Sequence, residues 1–211
     1  MTKISPSELC IQILQNCRSE LYSLFPQLDG AFASLNYVPD ALAEAIETDG
    51  NAIRFSPMHI IRQYGENPAA IRRGYLHMLL HCLFLHPFSS TASAHLWNLA
   101  CNMAVKQIIE RAKVPRLELP NNPIRKISFQ IIGNTTLSAE RLYRMLEEQI
   151  FPFTPTELES TFHFDNHFLW NKTDHAKGRK KWAAIGAGAS RGGYRPGTAS
   201  GNEKLSIQIS R

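Results

Sequence analysis

Cysteine is scarce in this chain, and none of it is paired in sequence. Cys10, Cys17, Cys82 and Cys101 lie far apart, with no C-x-x-C among them. Each sits among apolar neighbours in a stretch of helical periodicity, which predicts buried free thiols in a reducing compartment rather than disulfides. Long hydrophobic runs are missing too. The longest apolar stretch, around Leu76 to Leu85, contains two histidines and is far shorter than the roughly 20 residues that span a bilayer. The N-terminal MTKISPSELCIQILQ has helically spaced apolar residues broken by polar ones, unlike the continuous core of a secretory signal. Together these absences predict a soluble cytoplasmic protein with no membrane partner. Acid is scarce in one place: between Lys172 and Arg195 there are seven basic residues against Asp174 alone. That segment carries +6 of a chain total of +5, so the rest of the chain stands at −1. The basic balance therefore belongs to a tail and not to the body.

What is present is enough for one sizeable core: 211 residues, 44% hydrophobic. Ser5 or Ser7 can cap a first helix running to about Ser23, and Pro26 and Gly30 end it. Ala41 to Ala45 reads as a short helix. In AIETDGNAIRFSP, Thr48-Asp49-Gly50-Asn51 reads as a tight turn between two short strands, placing a small β-hairpin near residues 44 to 56. Met58 to Tyr64 looks helical. Asn67-Pro68 starts a strong helix that runs to Pro87, and a second spans His95 to about Ala112. PRLELPNNP is an extended connection. Ser138 to Ile150 is amphipathic, and Phe151 to Trp170 is aromatic-rich and irregular. The fold class is α+β, mostly helical. The Gly-rich IGAGASRGGYRPGTASG reads as a flexible linker, followed by an alternating, strand-like tail. The division is a domain over residues 1–184, a linker over 185–203 and a tail over 204–211, with the tail the start of a truncated second domain or a segment that pairs with a partner.

The chemistry concentrates in HMLLHCLFLH, residues 77 to 86. Positions i and i+4 of a helix lie about 40° apart, so His77 and His81 share a face and can reach one tetrahedral metal. His86 lies roughly half a revolution away, a poor third ligand unless the helix has unwound. The helix is apolar nearly all round, hence buried, and a buried histidine pair needs partners for its ring nitrogens. The next helix carries His95, Asn98 and Asn102 on one face. Either this stripe packs against His77 and His81 as an antiparallel pair, or it is a solvated face that Lys106 and Glu110 continue outward. A Cys–His nucleophile built on Cys82 or Cys101 is the weaker idea, because both thiols look like core.

The run HMLLHCLFLH followed by LWNLACNMAV resembles the bacterial metallopeptidase domain usually found ahead of a von Willebrand factor A-like domain. That family reads H-E-x-x-H-x-x-x-x-H and then W-N-x-A-x-D, matched here by His77, His81, His86, Trp97, Asn98 and Ala100. TDGNAIRFSP is similar to the strand ahead of the family's histidine helix. FDNHFLW is similar to its later D-x-H-x-x-W element, placing Asp165, His167 and Trp170. The resemblance covers roughly residues 30 to 185. It implies a zincin-like domain with a buried helix pair, a zinc cofactor, and partners that include a von Willebrand factor A-like domain and an AAA+ ATPase. Two positions depart from it. Met78 stands where the family has its general-base glutamate, and Asn102 stands where it has an aspartate. A thioether has no proton to exchange, and loss of general-base catalysis costs on the order of 10²–10⁴ in rate.

The expected metal ligands are thus His77 and His81, with His86, His95, Asn98, Asn102, Asp165 and His167 as further ligands or lining. No catalytic residue is named. The leading reading is a metallopeptidase-like domain whose hydrolysis is impaired or lost, retaining metal or peptide binding or acting as a scaffold. One alternative is an active zinc hydrolase that uses Asp165, His167 or His95 as its base. Another is a nucleic-acid-binding module using GRKKW and SRGGYRPG, with Trp182 and Tyr194 for stacking; a short basic linker is more often simply solvated.

Overall fold

The computed structural model describes residues 4–43, 45–89, 93–118 and 120–191. Most of the predicted linker and the whole strand-like tail lie outside these residues. Helix α1 spans Pro6–Leu24, and a capping box starts it: Ser5 Oγ accepts from Glu8 N, and Glu8 returns a carboxylate to Ser5 N. The one-turn helix α2 (Asp29–Phe32) follows, and the buried face of α1, Cys10, Ile13, Leu14, Cys17 and Leu21, packs on α3 (Pro57–Glu66) and α4 (Pro68–Leu83). All four cysteines are free and buried.

The predicted hairpin is present as β2 (Glu47–Thr48) and β3 (Ala52–Phe55), paired antiparallel. Its turn is built by Asp49, whose Oδ1 accepts from Asn51 N and Ala52 N, and by Gly50 at φ 80°, a conformation that favours glycine. A third strand, β1 (Asn36–Pro39), pairs parallel to β3 on its other side, giving the order β1-β3-β2. Among the described residues of the helix expected at Ala41 to Ala45, 41–43 and 45, none is helical. Asp40 instead closes a turn, its Oδ1 accepting from Leu42 N, and this local bond competes with helical ones.

After α4 come α5 (Ala94–Arg111), α6 (Pro123–Ile132), α7 (Ala139–Glu147), α8 (Pro155–Phe162) and α9 (His175–Arg191). The architecture is α+β and mostly helical. The stretch expected to be irregular contains α8, started by a second capping box between Thr154 and Glu157. Helix α9 continues through Ile185 to Arg191, where composition points to a linker.

The buried side chains form two clusters. One joins α1, α3, α4 and the sheet, and includes Trp182 of α9. The other joins the inner face of α5 to α7 and α8. Helix α5 is the shared wall: Val105 and Ile109 belong to the first cluster, Leu99, Ala100 and Met103 to the second. Helix α9 is latched to the first cluster at the hairpin turn. Trp182 Nε1 and Lys181 Nζ both donate to Gly50 O, and Arg179 donates to Phe88 O. Gly178 meets the Phe88 ring so closely that a Cβ there would overlap it. Gly-to-Ala inside a helix normally gains up to about 1 kcal/mol. Here Gly178→Ala is expected to reverse that sign and cost about 1–3 kcal/mol through overpacking, read by urea denaturation. Gly186→Ala, with nothing near its Cβ position, serves as the control.

Candidate metal centre

Helix α4 begins where Asn67 Oδ1 accepts from Ala69 N, and nearly every side chain from Ile71 to Leu83 is buried. His77 and His81 point from this buried helix toward α5 and are 1% and 0% exposed. Their Nε2 atoms are 2.8 Å apart. Asn102 on α5 brings Oδ1 to 2.8 Å from His77 Nε2 and 3.2 Å from His81 Nε2. The antiparallel packing of the two helices is therefore the one that occurs, and the solvated-face reading fails at Asn102 and Lys106, both buried.

Asp165 completes the group. It arrives from the segment after α8, whose Asn166 N donates to Ile46 O and bridges to Glu47 at the edge of β2. Asp165 Oδ1 lies 3.3 Å from His77 Nε2 and 3.9 Å from His81 Nε2. His77, His81 and Asp165 form the cluster of potential metal ligands found among the described residues. Four bonds of about 2.0–2.1 Å around a tetrahedral zinc imply ligand separations of roughly 3.3–3.4 Å. The observed separations, from 2.8 to 3.9 Å, bracket that figure.

The remaining candidates have other places. Leu85 adopts a left-handed conformation, φ 64°, which unwinds the helix and turns His86 back. His86 Nδ1 then lies 2.8 Å from His81 Nδ1, the nitrogen facing away from the cluster. His86 thus fixes the ring orientation and tautomer of His81, and does not reach the cluster itself. His167 stacks on Trp170 at 3.6 Å and brings Nε2 to 2.9 Å from Asp165 Oδ1. His95 is exposed and pairs with Glu159 at 2.8 Å. Asn98 is half-buried and lines a cleft of about 350 Å³ together with His95, Asn102, Glu159, Asp165 and His167. A larger cavity of about 550 Å³ lies between Phe88, Trp97, Glu140 and Arg179 and includes none of the donors.

Electrostatics make the cluster a place for a cation. Burial holds His81 well below the usual histidine range, reinforced by His77. Burial likewise brings His86 down to about 3, with His167 and His77 adding to it. Burial alone would raise Asp165, but the imidazoles of His167, His77 and His81 outweigh it and keep its carboxyl well below the ordinary value. A neutral imidazole carries one N–H. If His81 gives its hydrogen to His86, only His77 can bring one into the space between two ring nitrogens and two oxygens. Asp165 Oδ2 is buried with no hydrogen-bond partner, and an ionised carboxylate left so is costly. A divalent ion would satisfy the converging lone pairs together, so the residues present fit a metal.

The thiols do not fit a nucleophile. Burial pushes Cys82 and Cys101 far up from the ordinary thiol range. Met78 is 0% exposed within the first core cluster and does not line the cleft.

A family described as "putative metallopeptidase domain" matches residues 12–206. The chain belongs to that family. No curated protein and no solved structure matches it. The match begins earlier and ends later than the block between residues 30 and 185 that the motifs delimit, and it takes in α1 from residue 12 onward. Among the described residues no helix is long and apolar enough to cross a membrane.

Sequence reasoning missed Lys106 and Phe164. Phe164 lies 5.2 Å from the His77 ring and fills the space above Gly74, where a Cβ would meet it at 2.8 Å. Two predictions follow from burial. Met78→Glu places a carboxylate in an apolar core and is expected to cost more than about 2 kcal/mol, whereas Met78→Leu stays within about 1.5 kcal/mol; denaturation midpoints compare them. For His86 the folded state stays neutral while the unfolded chain protonates near pH 6.5, so its stabilisation is complete above that value and declines as pH falls toward about 3. In the metal-free protein this group should cost up to about 1.4 kcal/mol per pH unit in that window, measured by denaturation between pH 7 and 4.

Proposed function

We propose that this member of the metallopeptidase family holds a zinc ion in a closed, bracing site and does not hydrolyse peptide bonds. The observation that carries this reading is the convergence of His77 Nε2, His81 Nε2, Asp165 Oδ1 and Asn102 Oδ1 in a buried pocket. Two imidazoles disfavour magnesium and calcium, which take all-oxygen shells, and four mixed N/O donors suit zinc. Structural zinc sites are closed by four protein donors, whereas catalytic ones keep a position for water. Asn102 stands where that water would be needed.

Zinc in an open site supplies a Lewis acid and an acidified water. The residues around this one do not supply the proton chemistry to go with it. Met78 has no basic atom and faces the core. Asp165 is committed as a donor, and His167 is bonded to it and stacked on Trp170. The hydrolase alternative has one observation in its favour: the His95–Glu159 pair lines the same cleft as Asn102 and Asp165. That pair is substantially exposed on both sides, and an ion pair so open to water interacts weakly.

The domain's role is then binding and scaffolding. A peptide added at the β2 edge would compete with Asn166, which already occupies it, so a peptide or protein partner is better served by the polar cleft. A following von Willebrand factor A-like domain and an AAA+ ATPase are the proposed larger partners. The basic segment has internal uses: Lys181 and Arg179 donate to backbone carbonyls, and Lys172 lies over Phe168 at 4.0 Å. Fewer charges then remain for a nucleic acid than the composition suggests.

The purified protein is expected to contain one zinc per chain, and His77→Ala is expected to lose it. Asp165→Asn should weaken binding at least about tenfold, and Asn102→Asp should tighten it by adding a charged donor. Casein and peptide libraries should remain uncut. Chelator-sensitive cleavage by the native chain would refute the loss of hydrolysis, and absence of metal from a folded preparation loaded with zinc would refute the site.

A further inference from the structure

We propose that Lys106 is the positioning residue for the Asp165 donor: its buried ammonium grips the C-terminal end of α8 and so sets where the third metal ligand enters the site. This rests on the metal-site reading above. Lys106 lies one turn beyond Asn102 on α5 and is 6% exposed. Its Nζ donates to Thr161 O at 2.8 Å and to His163 O at 3.5 Å. These are among the carbonyls that a helix end leaves without partners, and a cation there also meets the negative end of the helix dipole. The ammonium lies 5.7 Å from the Phe162 ring centroid and 5.9 Å from that of Phe164, a desolvated setting in which cation–π attraction is at its strongest. Its charge is costly in that place. Burial, followed by Arg125, brings the amine down to about 8, and Asp165 acts in the opposite sense. A charged group kept in such surroundings is there for the partners it holds.

Those partners lead directly to the ligand. Thr161 and His163 bracket Phe162, a core residue, and Asp165 follows two positions after His163. The segment has two further anchors: Phe164 against Gly74 and His77, and Asn166 against the β2 edge. Lys106 is the anchor on the α8 side. Without it the helix end would be free to fray, and the reach of Asp165 would change by the fraction of an ångström that matters to a metal bond. Asn102 and Lys106 thus let α5 place two donors, one directly and one through α8.

The test compares the full chain with Lys106→Met and Lys106→Arg by two readouts. The first is zinc affinity, from competition with a chromophoric chelator. The second is amide hydrogen exchange across residues 161–167 in the metal-free state. Lys106→Met should keep its helical circular dichroism, lose about 10- to 100-fold in zinc affinity, and exchange at least about tenfold faster in 163–167, with α1 and α4 unchanged. Lys106→Arg, which retains charge and donors, should recover most of both. Zinc affinity within about threefold of the native chain for Lys106→Met, or unchanged exchange at 163–167, overturns the proposal. A uniform loss of protection with unaltered affinity marks a merely structural lysine and overturns it as well. If Lys106→Met does not fold, Lys106→Arg decides alone, and loss of both affinity and local protection in that variant counts against the proposal. If the native chain binds no zinc, the metal reading fails, and the exchange comparison still shows whether Lys106 fixes the segment.

Discussion

The arrangement depends on keeping one ionised carboxylate, Asp165, where water cannot reach it. Removing a carboxylate from water is expensive, and attraction to neighbours compensates only when geometry is close and the lone pairs are used. Oδ1 has such neighbours, within 2.9 to 3.9 Å on three imidazoles, while Oδ2 has no partner. The surrounding structure is organised around that demand. Helix α4 supplies two rings from the first core cluster, α5 supplies an amide from the shared wall, and the segment after α8 supplies the acid from the second cluster. The site lies at the seam between the two clusters, so a cation bound there would tie them together, and binding energy would become folding energy.

How much of this was legible follows from how local each signal is. The His77/His81 pair and the Asn98/Asn102 stripe could be read because helical periodicity fixes which side chains share a face. The hairpin could be read from Asp49-Gly50. Strand β1 could not, because its parallel pairing with β3 is a non-local choice that Asn36–Pro39 do not encode. Helix α8 carried its own start signal, Thr154-Pro155 followed by Glu157, but the aromatic residues around it obscured the periodicity. Ala41 to Ala45 had helical composition and lost to the Asp40 turn. His86 turned on Leu85, and nothing in a leucine announces a left-handed backbone. The sequence alone points Lys106 outward, because lysine is almost always exposed; only its partner Thr161, 55 residues away in sequence, reverses that.

The basic tail shows the same limit from another side. Charge counted along a sequence suggests an electrostatic surface, yet α9 directs Lys181 into the carbonyls of Ser34 and Gly50, and Arg179 onto Phe88. Trp182, which composition offers as a stacking platform, is fully buried and donates to Gly50 O. The hairpin turn explains why. Gly50, at positive φ, has a carbonyl that accepts from both Lys181 and Trp182, so α9 is the element that satisfies it. Part of the apparent nucleic-acid signature is thus helix-to-turn packing.

The proposed loss of hydrolysis rests on two separate physical grounds, and they do not reduce to one. The first is chemical: Met78 cannot accept a proton, and general-base catalysis contributes on the order of 10²–10⁴. The second is spatial: in the proposed site Asn102 would take up the fourth position, and every proposed ligand is at most 4% exposed. An acid at residue 78 would lie in the apolar core that holds Met78, and it would leave the second ground untouched, since a metal with no exchangeable water offers a base nothing to deprotonate. Opening the fourth position alone would leave a metal-bound water with no nearby group to take its proton, because Asp165 would itself be a ligand and His167 is committed to Asp165. Each change leaves the other obstacle intact, so Met78 and Asn102 reinforce each other. Together they favour a site that holds the two halves of the core in register over one that turns over a substrate.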